Sequence, residues 1–321
     1  MNRHRLALAG AADGLLARCS FPAPGVPLVC AVSGGADSLA LLALAVAAGC
    51  EATAVHVDHG LRAGSAGEAD VVEAAAARLG AAFQARRVDL VPGPNLEARA
   101  RAARRDVLAP GAATGHTADD QAETVLLNLV RGAGLDGLAG IRPGPTKPIL
   151  GLRRSETRQL CATLGLAVVR DASNDDPAFR RNRIRHDVLP LLDDVAARDV
   201  VAVLARQAAL LGEEAELLDT LAAELDVTDA RALSGAPAPL ARRAIRRWLA
   251  EAGDAERHPP SAAAVERVLA VARGHTLACE VEGGLRVRRS AQRLSLQPEV
   301  CSQLARIPGA PAATSASEPA T

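Results

Sequence analysis

"VPLVCAVSGGADSLALLALAV", residues Val26–Val46, is the stretch whose reading decides the fold. Val26–Val32 is a short unbroken apolar run, the pattern of a strand buried on both faces. Ser38–Ala48 carries apolar residues at helical density. Between them stand Ser33, Gly34, Gly35, Ala36, Asp37 and Ser38. Adjacent glycines inside an apolar segment give up conformational freedom and pack nothing, so something must approach the backbone closely there. A phosphate group fits. Successive N–H groups of a short loop curl round an anion, and the helix starting near Ser38 points its positive end at it. The hexapeptide is shorter than a Walker loop and lacks its Lys-Ser/Thr ending. Asp37 is poorly placed against bare phosphate but well placed if Mg2+ bridges the two. The bland alternative is a tight strand–helix turn with Ser38 as its cap.

Strand-like and helix-like segments alternate outward from this loop. Glu51–Val57 reads as a strand, Gly67–Leu79 as a helix, Ala82–Val88 as a strand and Leu96–Leu108 as a helix. "GAATGH" (Gly111–His116) reads as a short strand end and Thr117–Arg131 as an amphipathic helix. Such alternation predicts an α/β fold, a doubly wound parallel sheet with helices on both faces. Ligands bind beyond the carboxyl ends of such strands, where "SGG", "HVDHG" and "TGH" all fall. The character changes after about Leu192. Val195–Leu225 reads as one long helix, Ser234–Gly253 and Pro259–Gly274 contain two more, and Thr276–Gln297 reads as a β-hairpin turning at Gly283-Gly284. The expected division is a catalytic domain over 1–194, a smaller, mainly helical domain ending in a hairpin over 195–304, and a Pro/Ala/Ser/Thr-rich disordered tail over 305–321.

The 321 residues are 49% hydrophobic but 1% aromatic, and formal net charge is +0, so no global field advertises a polyanionic partner. Lys147 is the one lysine; arginine is so common that a single Arg says little. Basic clusters at Arg99–Arg105, Arg180–His186, Arg242–Arg247 and Arg286–Arg289 leave nucleic acid open, against the blander reading of solvated faces. Cys19, Cys30, Cys50, Cys161, Cys279 and Cys301 form no Cys-x-x-Cys pair, which argues against a metal cluster or dithiol site. No apolar run is long enough to span a bilayer. A cytoplasmic enzyme with no membrane partner is the expectation.

Two further stretches carry chemistry. "VHVDHGLR" sets His56, Asp58, His59 and Arg62 at the end of the second strand; without a further Cys/His set, nucleotide contact is a better reading than metal binding. In "GHTADDQAETVLLNLVRGAG", Asp119 and Glu123 share a helix face, as do Asp120 and Thr124. Acidic residues suit any helix N-terminus. That alone does not explain why His116, Asp119, Asp120 and Gln121 crowd one turn at the ligand edge.

These residues resemble a family. "SGGADS" is similar to the PP-loop of the ATP pyrophosphatases (adenine-nucleotide hydrolase-like). "VDHGLR", "GHTADDQAET", "RGAGLDGLAGI" and "DASNDDPAFRRNRIRHDVLPLL" follow in the order seen in tRNA(Ile)-lysidine synthetases. The resemblance is close over 26–195 and loose beyond. Arg105 stands where an aromatic is expected, and the further C-terminal domain of larger members is expected to be absent. The resemblance implies ATP and Mg2+ as cofactors, with isoleucine tRNA bearing a CAU anticodon and free L-lysine as partners; homodimeric assembly is left open. It implies that ATP adenylates the C2 carbonyl oxygen of the wobble cytidine, and that lysine then displaces AMP to give lysidine. Ser33–Ser38 would hold the pyrophosphate portion, with Asp37 positioning the metal. His56, Asp58 and Arg62 would meet the nucleotide. Asp119, Asp120 and Glu123 would hold lysine, with His116 as base. Arg131, Arg181, Asn182, Arg183 and Arg185 would meet tRNA phosphate or AMP. Arg242, Arg243, Arg246 and Arg247 fall at i, i+1, i+4 and i+5 and would form one basic stripe, with Arg242 and Arg246 meeting tRNA backbone and Trp248 and Leu249 anchoring that helix, against the alternative of a solvated face paired with Glu251, Asp254 and Glu256. The competing readings are a PP-loop tRNA thiolase, an ammonia-using amidotransferase-type ligase and a non-catalytic nucleotide sensor.

Overall fold

The computed structural model describes residues 3–58, 66–88, 107–169, 175–252 and 260–298, together with residues 99 and 103. Packing divides the chain into two units, Met1–Ala215 and Glu216–Thr321.

The first unit opens with a helix absent from the sequence reading, α1 (Arg3–Leu16), whose Leu8 and Ala12 enter the core. There follow β1 (Pro27–Ala31), α2 (Ala36–Ala47), β2 (Glu51–Asp58), α3 (Ala66–Leu79), β3 (Ala82–Arg87) and β4 (Ala113–Thr114). All pairings are parallel, in the order β3-β2-β1-β4, with Ala31 beside both Val55 and Thr114. This is the expected sheet. The chain runs from β1 outward through β2 to β3, then returns to place β4 on the other side of β1. The β1–β4 seam is therefore the switch point at which such sheets leave a crevice beyond their carboxyl ends. The loops after β1 and β4 meet there. Ser38 through Ala45 of α2 are buried without interruption, which is why this helix reads as apolar on all sides.

Next come α4 (Ala118–Val130), the short α5 (Leu135–Leu138), α6 (Arg154–Thr163) and α7 (Arg180–Arg183). A single π-helical turn over Ile184–Val188 joins α7 to α8 (Leu189–Ala196). Pro190 lacks the N–H that would bond the His186 carbonyl, and the adjacent bond runs i to i+5, Leu189 N–H to Ile184 O. The long helix expected over Val195–Leu225 is two helices: Ala197 takes a left-handed φ of 49°, and α9 covers Val200–Ala223.

In the second unit α10 (Ala230–Gly235), α11 (Ala238–Ala252) and α12 (Ala262–Arg273) surround Ile245, Leu249, Val265 and Leu269, with Trp248 packed against the same core. The expected hairpin is the first two-thirds of an antiparallel meander, β5 (Ala278–Val281), β6 (Leu285–Ser290) and β7 (Arg293–Pro298). Its second turn is Ala291-Gln292, both at positive φ. Residues that rarely adopt that conformation give no turn signal in sequence. The expected helix over Leu96–Leu108, Arg62, Arg105 and the tail over 305–321 lie outside the described residues, residues 99, 103 and 107–108 of that helix excepted.

Candidate active site

The loop after β1 is closed by its own serines. Ser33 N–H donates to Ser38 Oγ at 3.2 Å, and Ser38 Oγ donates to the Gly35 carbonyl at 2.8 Å. Ser38 therefore staples the loop instead of capping α2. Gly35, the residue at the N-cap, makes no side-chain capping bond, which leaves this end of the helix suited to an anion. Gly34 sits at φ +87°, and a Cβ there would lie 2.7 Å from Val169 Cγ2. Gly115, in the loop after β4, is held as tightly: its Cβ would lie 2.7 Å from the Asp37 carbonyl oxygen. The two loops touch backbone to backbone.

The Asp37 carboxylate is held by α6. Its Oδ1 accepts from the Thr157 hydroxyl and its Oδ2 from Arg154 Nε at 3.5 Å. Burial nonetheless pushes the Asp37 carboxyl above its ordinary value, against the pull of Thr157 and Arg154. Arg154, Thr157 and Cys161 recur at i, i+3 and i+7, so α6 presents all three on one face, where Cys161 Sγ donates to the Ala36 carbonyl at 3.3 Å.

Helix α4 supplies the acids facing Asp37. Thr117, fully buried, caps it: its N–H and hydroxyl both donate to Asp120 Oδ2 at 2.9 Å. The other oxygen of Asp120 accepts from Arg154 Nη2 and Arg181 Nη2, each at 3.0 Å. Asp119 accepts the Arg154 backbone N–H at 2.8 Å and Arg153 Nε at 3.1 Å. Although burial opposes it, these arginines hold Asp119 below the usual carboxylate range. Glu123 has no exposed side-chain surface. Its Oε1 accepts from Arg154 Nη1 at 2.9 Å and Arg185 Nε at 2.7 Å, its Oε2 from Arg181 Nε at 2.6 Å. Burial raises its pKa, but Arg185, Arg154 and Arg181 more than reverse that and bring Glu123 to about 2. Arg181 and Arg185 stand four apart, on α7 and in the π turn that continues it, and so reach the same carboxylate.

Residues 16–192 match the PP-loop domain family, and residues 229–295 match the TilS substrate binding domain. The tRNA(Ile)-lysidine synthase of Nocardia farcinica is 44% identical over 249 residues, spanning 73% of this chain and 78% of that protein. That of Mycolicibacterium paratuberculosis is 46% identical over 239 residues, spanning 70% and 74%. The chain belongs to the tRNA(Ile)-lysidine synthase family. In this lysidine synthase relative the loop and the whole ion cluster fall inside the matched PP-loop domain, apart from Asp199, which pairs with Arg153.

The remaining expected residues divide. His116 Nδ1 lies 2.7 Å from Thr114 Oγ1, which also accepts from Lys147 Nζ at 2.8 Å. Burial lowers the Lys147 pKa. His56 is buried beside the loop, its Nδ1 2.9 Å from the Val32 carbonyl. A carbonyl only accepts, so Nδ1 carries the proton; Nε2 is buried with no partner among the described residues. Asp58 ends β2. Asn182 is buried, with its side-chain amide donating to the Asp176 carbonyl at 2.9 Å. Arg183 is exposed beside Asp187 at 3.8 Å, and Arg131 is exposed at the end of α4. On α11, Arg242 pairs with Glu266 at 2.5 Å and Arg246 is also engaged. Sequence reading missed Arg153, Arg154 and Thr157: in a chain so rich in arginine neither Arg153 nor Arg154 carries a local signal, and their carboxylate partners on α4 lie more than thirty positions away.

Proposed function

We propose that the chain ligates free L-lysine to carbon 2 of the wobble cytidine of an isoleucine tRNA with a CAU anticodon. The observation that carries this reading is the meeting, at the β1–β4 seam, of a phosphate-type loop with an arginine–carboxylate cluster, in a member of the lysidine synthase family. The cytidine C2 carbonyl oxygen attacks the α-phosphorus of ATP and pyrophosphate leaves. The lysine amine then attacks C2, loses a proton and expels AMP. Ser33–Ser38 bind the polyphosphate through loop N–H groups and the start of α2. His56, whose buried Nε2 has no partner among the described residues, together with Asp58 and Arg62, contacts the nucleoside.

Among the described residues no group of three or more His, Cys, Asp or Glu side chains is arranged to hold a metal by itself. Asp37 with nucleotide phosphate oxygens and water is a donor set that suits Mg2+, which takes one or two carboxylates and substrate oxygens. Bound there, Mg2+ neutralises charge on the phosphates. Asp119 and Asp120 keep 17% and 14% of their side-chain surface exposed while Glu123 keeps none, so the first two meet the lysine ammonium and Glu123 anchors Arg181 and Arg185. His116 takes the proton from the attacking amine. Arg131, Arg181, Arg183 and Arg185 bind RNA or AMP phosphate, and Asn182 supports them by fixing the turn before α7. The 1–194 part does the chemistry, while 195–304 holds tRNA through Arg242 and Arg246. Burial pushes the Cys30 and Cys161 thiols up to about 12, which does not suit them to carry sulfur as a thiolase would require.

The test is pyrophosphate release from ATP. It is expected only when both the CAU-anticodon isoleucine tRNA and lysine are present for turnover; release driven by ammonia or a sulfur donor, or none under any condition, overturns the reading.

A further inference from the structure

Four carboxylates, Asp37, Asp119, Asp120 and Glu123, face four guanidiniums, Arg153, Arg154, Arg181 and Arg185, and every one of these groups is paired. Asp199 at the rim takes the other arm of Arg153. The cluster is balanced to within that one peripheral charge. Free lysine carries a net positive charge at neutral pH. To seat its ammonium on Asp119 or Asp120, it must displace a guanidinium that then loses one of its partners in a partly desolvated site, a costly exchange. An incoming polyphosphate has the opposite effect, because it gives a displaced guanidinium a new anion to bind.

Arg154 is placed to make that exchange. It is 11% exposed, and its three guanidinium nitrogens reach Asp37 beside the phosphate loop at 3.5 Å, Glu123 at 2.9 Å and Asp120 at 3.0 Å. Among the described residues, no other guanidinium is paired with both the loop carboxylate and the α4 carboxylates. Its contact to Asp37 is the longest of the three, so the end nearest the phosphates is the most weakly held. Glu123 retains Arg181 and Arg185 when Arg154 turns away. Of its guanidiniums Asp120 keeps Arg181 alone, and its Oδ1, the oxygen that Thr117 does not hold, becomes available to a cation.

We propose that Arg154 is a positioning residue that makes lysine binding conditional on a bound polyphosphate: it neutralises Asp120 in the empty site and transfers to nucleotide phosphate when ATP enters. This rests on the lysine-ligating reading above. The consequence is positive coupling between the two ligands, reciprocal by thermodynamic linkage.

Calorimetric titration of the full chain with L-lysine, with and without α,β-methylene ATP and with magnesium chloride in both arms, tests it. Lysine is expected to bind at least about 10-fold more tightly with the analogue, within the usual range for coupled sites. Arg154→Gln is expected to tighten lysine binding without nucleotide and to bring the ratio close to one; Arg154→Lys, which keeps the charge on a shorter reach, falls between. Equal lysine affinity in both arms of the wild type, or an unchanged ratio in Arg154→Gln, overturns the proposal. If Arg154→Gln fails to melt cooperatively, the wild-type ratio and Arg154→Lys decide. Labelled lysine entering tRNA while nucleotide leaves lysine affinity unchanged defeats the coupling and spares the ligase reading. No lysine binding in either arm, with no incorporation, defeats both.

Discussion

The chain uses the arginine–carboxylate pair in two settings, and they are not equivalent. Arg242 of α11 and Glu266 of α12 pair with 49% of each side chain exposed, and on α11 Arg247 reaches Glu251 with 47% and 68% exposed. Around Glu123, three guanidiniums, none more than 32% exposed, surround a carboxylate with no exposure at all. Solvent screens the first kind of pair and its side chains lose freedom in making it, so each is worth little. In the second kind the carboxylate has been taken out of water altogether and its guanidiniums in large part, and removing one member leaves charge buried and uncompensated. A run of arginines in sequence looks the same in both. The helix or turn that points them inward makes the difference.

The sharpest way to break this contrast is to delete the shared carboxylate. Glu123→Ala is expected to destabilise the protein by about 3–5 kcal/mol, measured by urea unfolding. Glu266→Ala is expected to cost less than about 1 kcal/mol. Comparable losses would mean that the buried cluster is no more than a surface network.

Acid sharpens the same comparison. Because the folded state holds Glu123 at about 2 against an ordinary 4.5, its carboxylate stabilises the fold fully above about 4.5 and loses that contribution as pH falls through about 2. The amount is on the order of 3 kcal/mol. Stability followed against pH across that window should fall for the wild type, and Glu123→Gln should lack this component of the slope.

Gly115→Ala tests the contact between the two loops. The added Cβ meets backbone at Asp37 rather than a side chain that can swing away. Overpacking of this kind costs about 1–3 kcal/mol, and the KM for ATP is expected to rise on the order of tenfold. An unchanged KM would show that the phosphate loop does not depend on this approach.

The smallest effect belongs to α11. Arg242→Ala with Arg246→Ala should leave stability within about 0.5 kcal/mol per site. It should lower the salt dependence of tRNA binding by about one to two phosphate contacts, with ATP affinity unchanged. An unaltered salt slope would reduce this stripe to surface.

How legible each region was follows the same divide. The loop over Ser33–Ser38, the parallel strands and α4 announced themselves, since two glycines in an apolar run and an acidic first turn are local signals. That the strand-ending motifs gather on the carboxyl rim of the sheet followed from strand alternation; that β1 and β4 are neighbours there is a matter of strand order, which alternation does not give. Arg154 was not legible: in a chain whose basic residues are arginine except for Lys147, one more arginine carries no signal, and its partners lie more than thirty positions away in sequence. Nor could sequence show that Glu123 is sealed and saturated by arginines, because burial is a property of packing. The turn at Ala291-Gln292 was missed because neither residue favours the positive φ it adopts.

Incorporation of labelled lysine into the CAU-anticodon isoleucine tRNA, compared across wild type, Asp37→Ala and the Arg242→Ala/Arg246→Ala pair at subsaturating and saturating tRNA, addresses the central claim most directly: that the seam in the first unit does the chemistry while the second unit holds RNA. Asp37→Ala, folded by its melting curve, is expected to incorporate no lysine at any tRNA concentration, and the arginine pair to recover wild-type turnover at saturating tRNA. Lysine incorporation at the wild-type rate by folded Asp37→Ala would contradict the account.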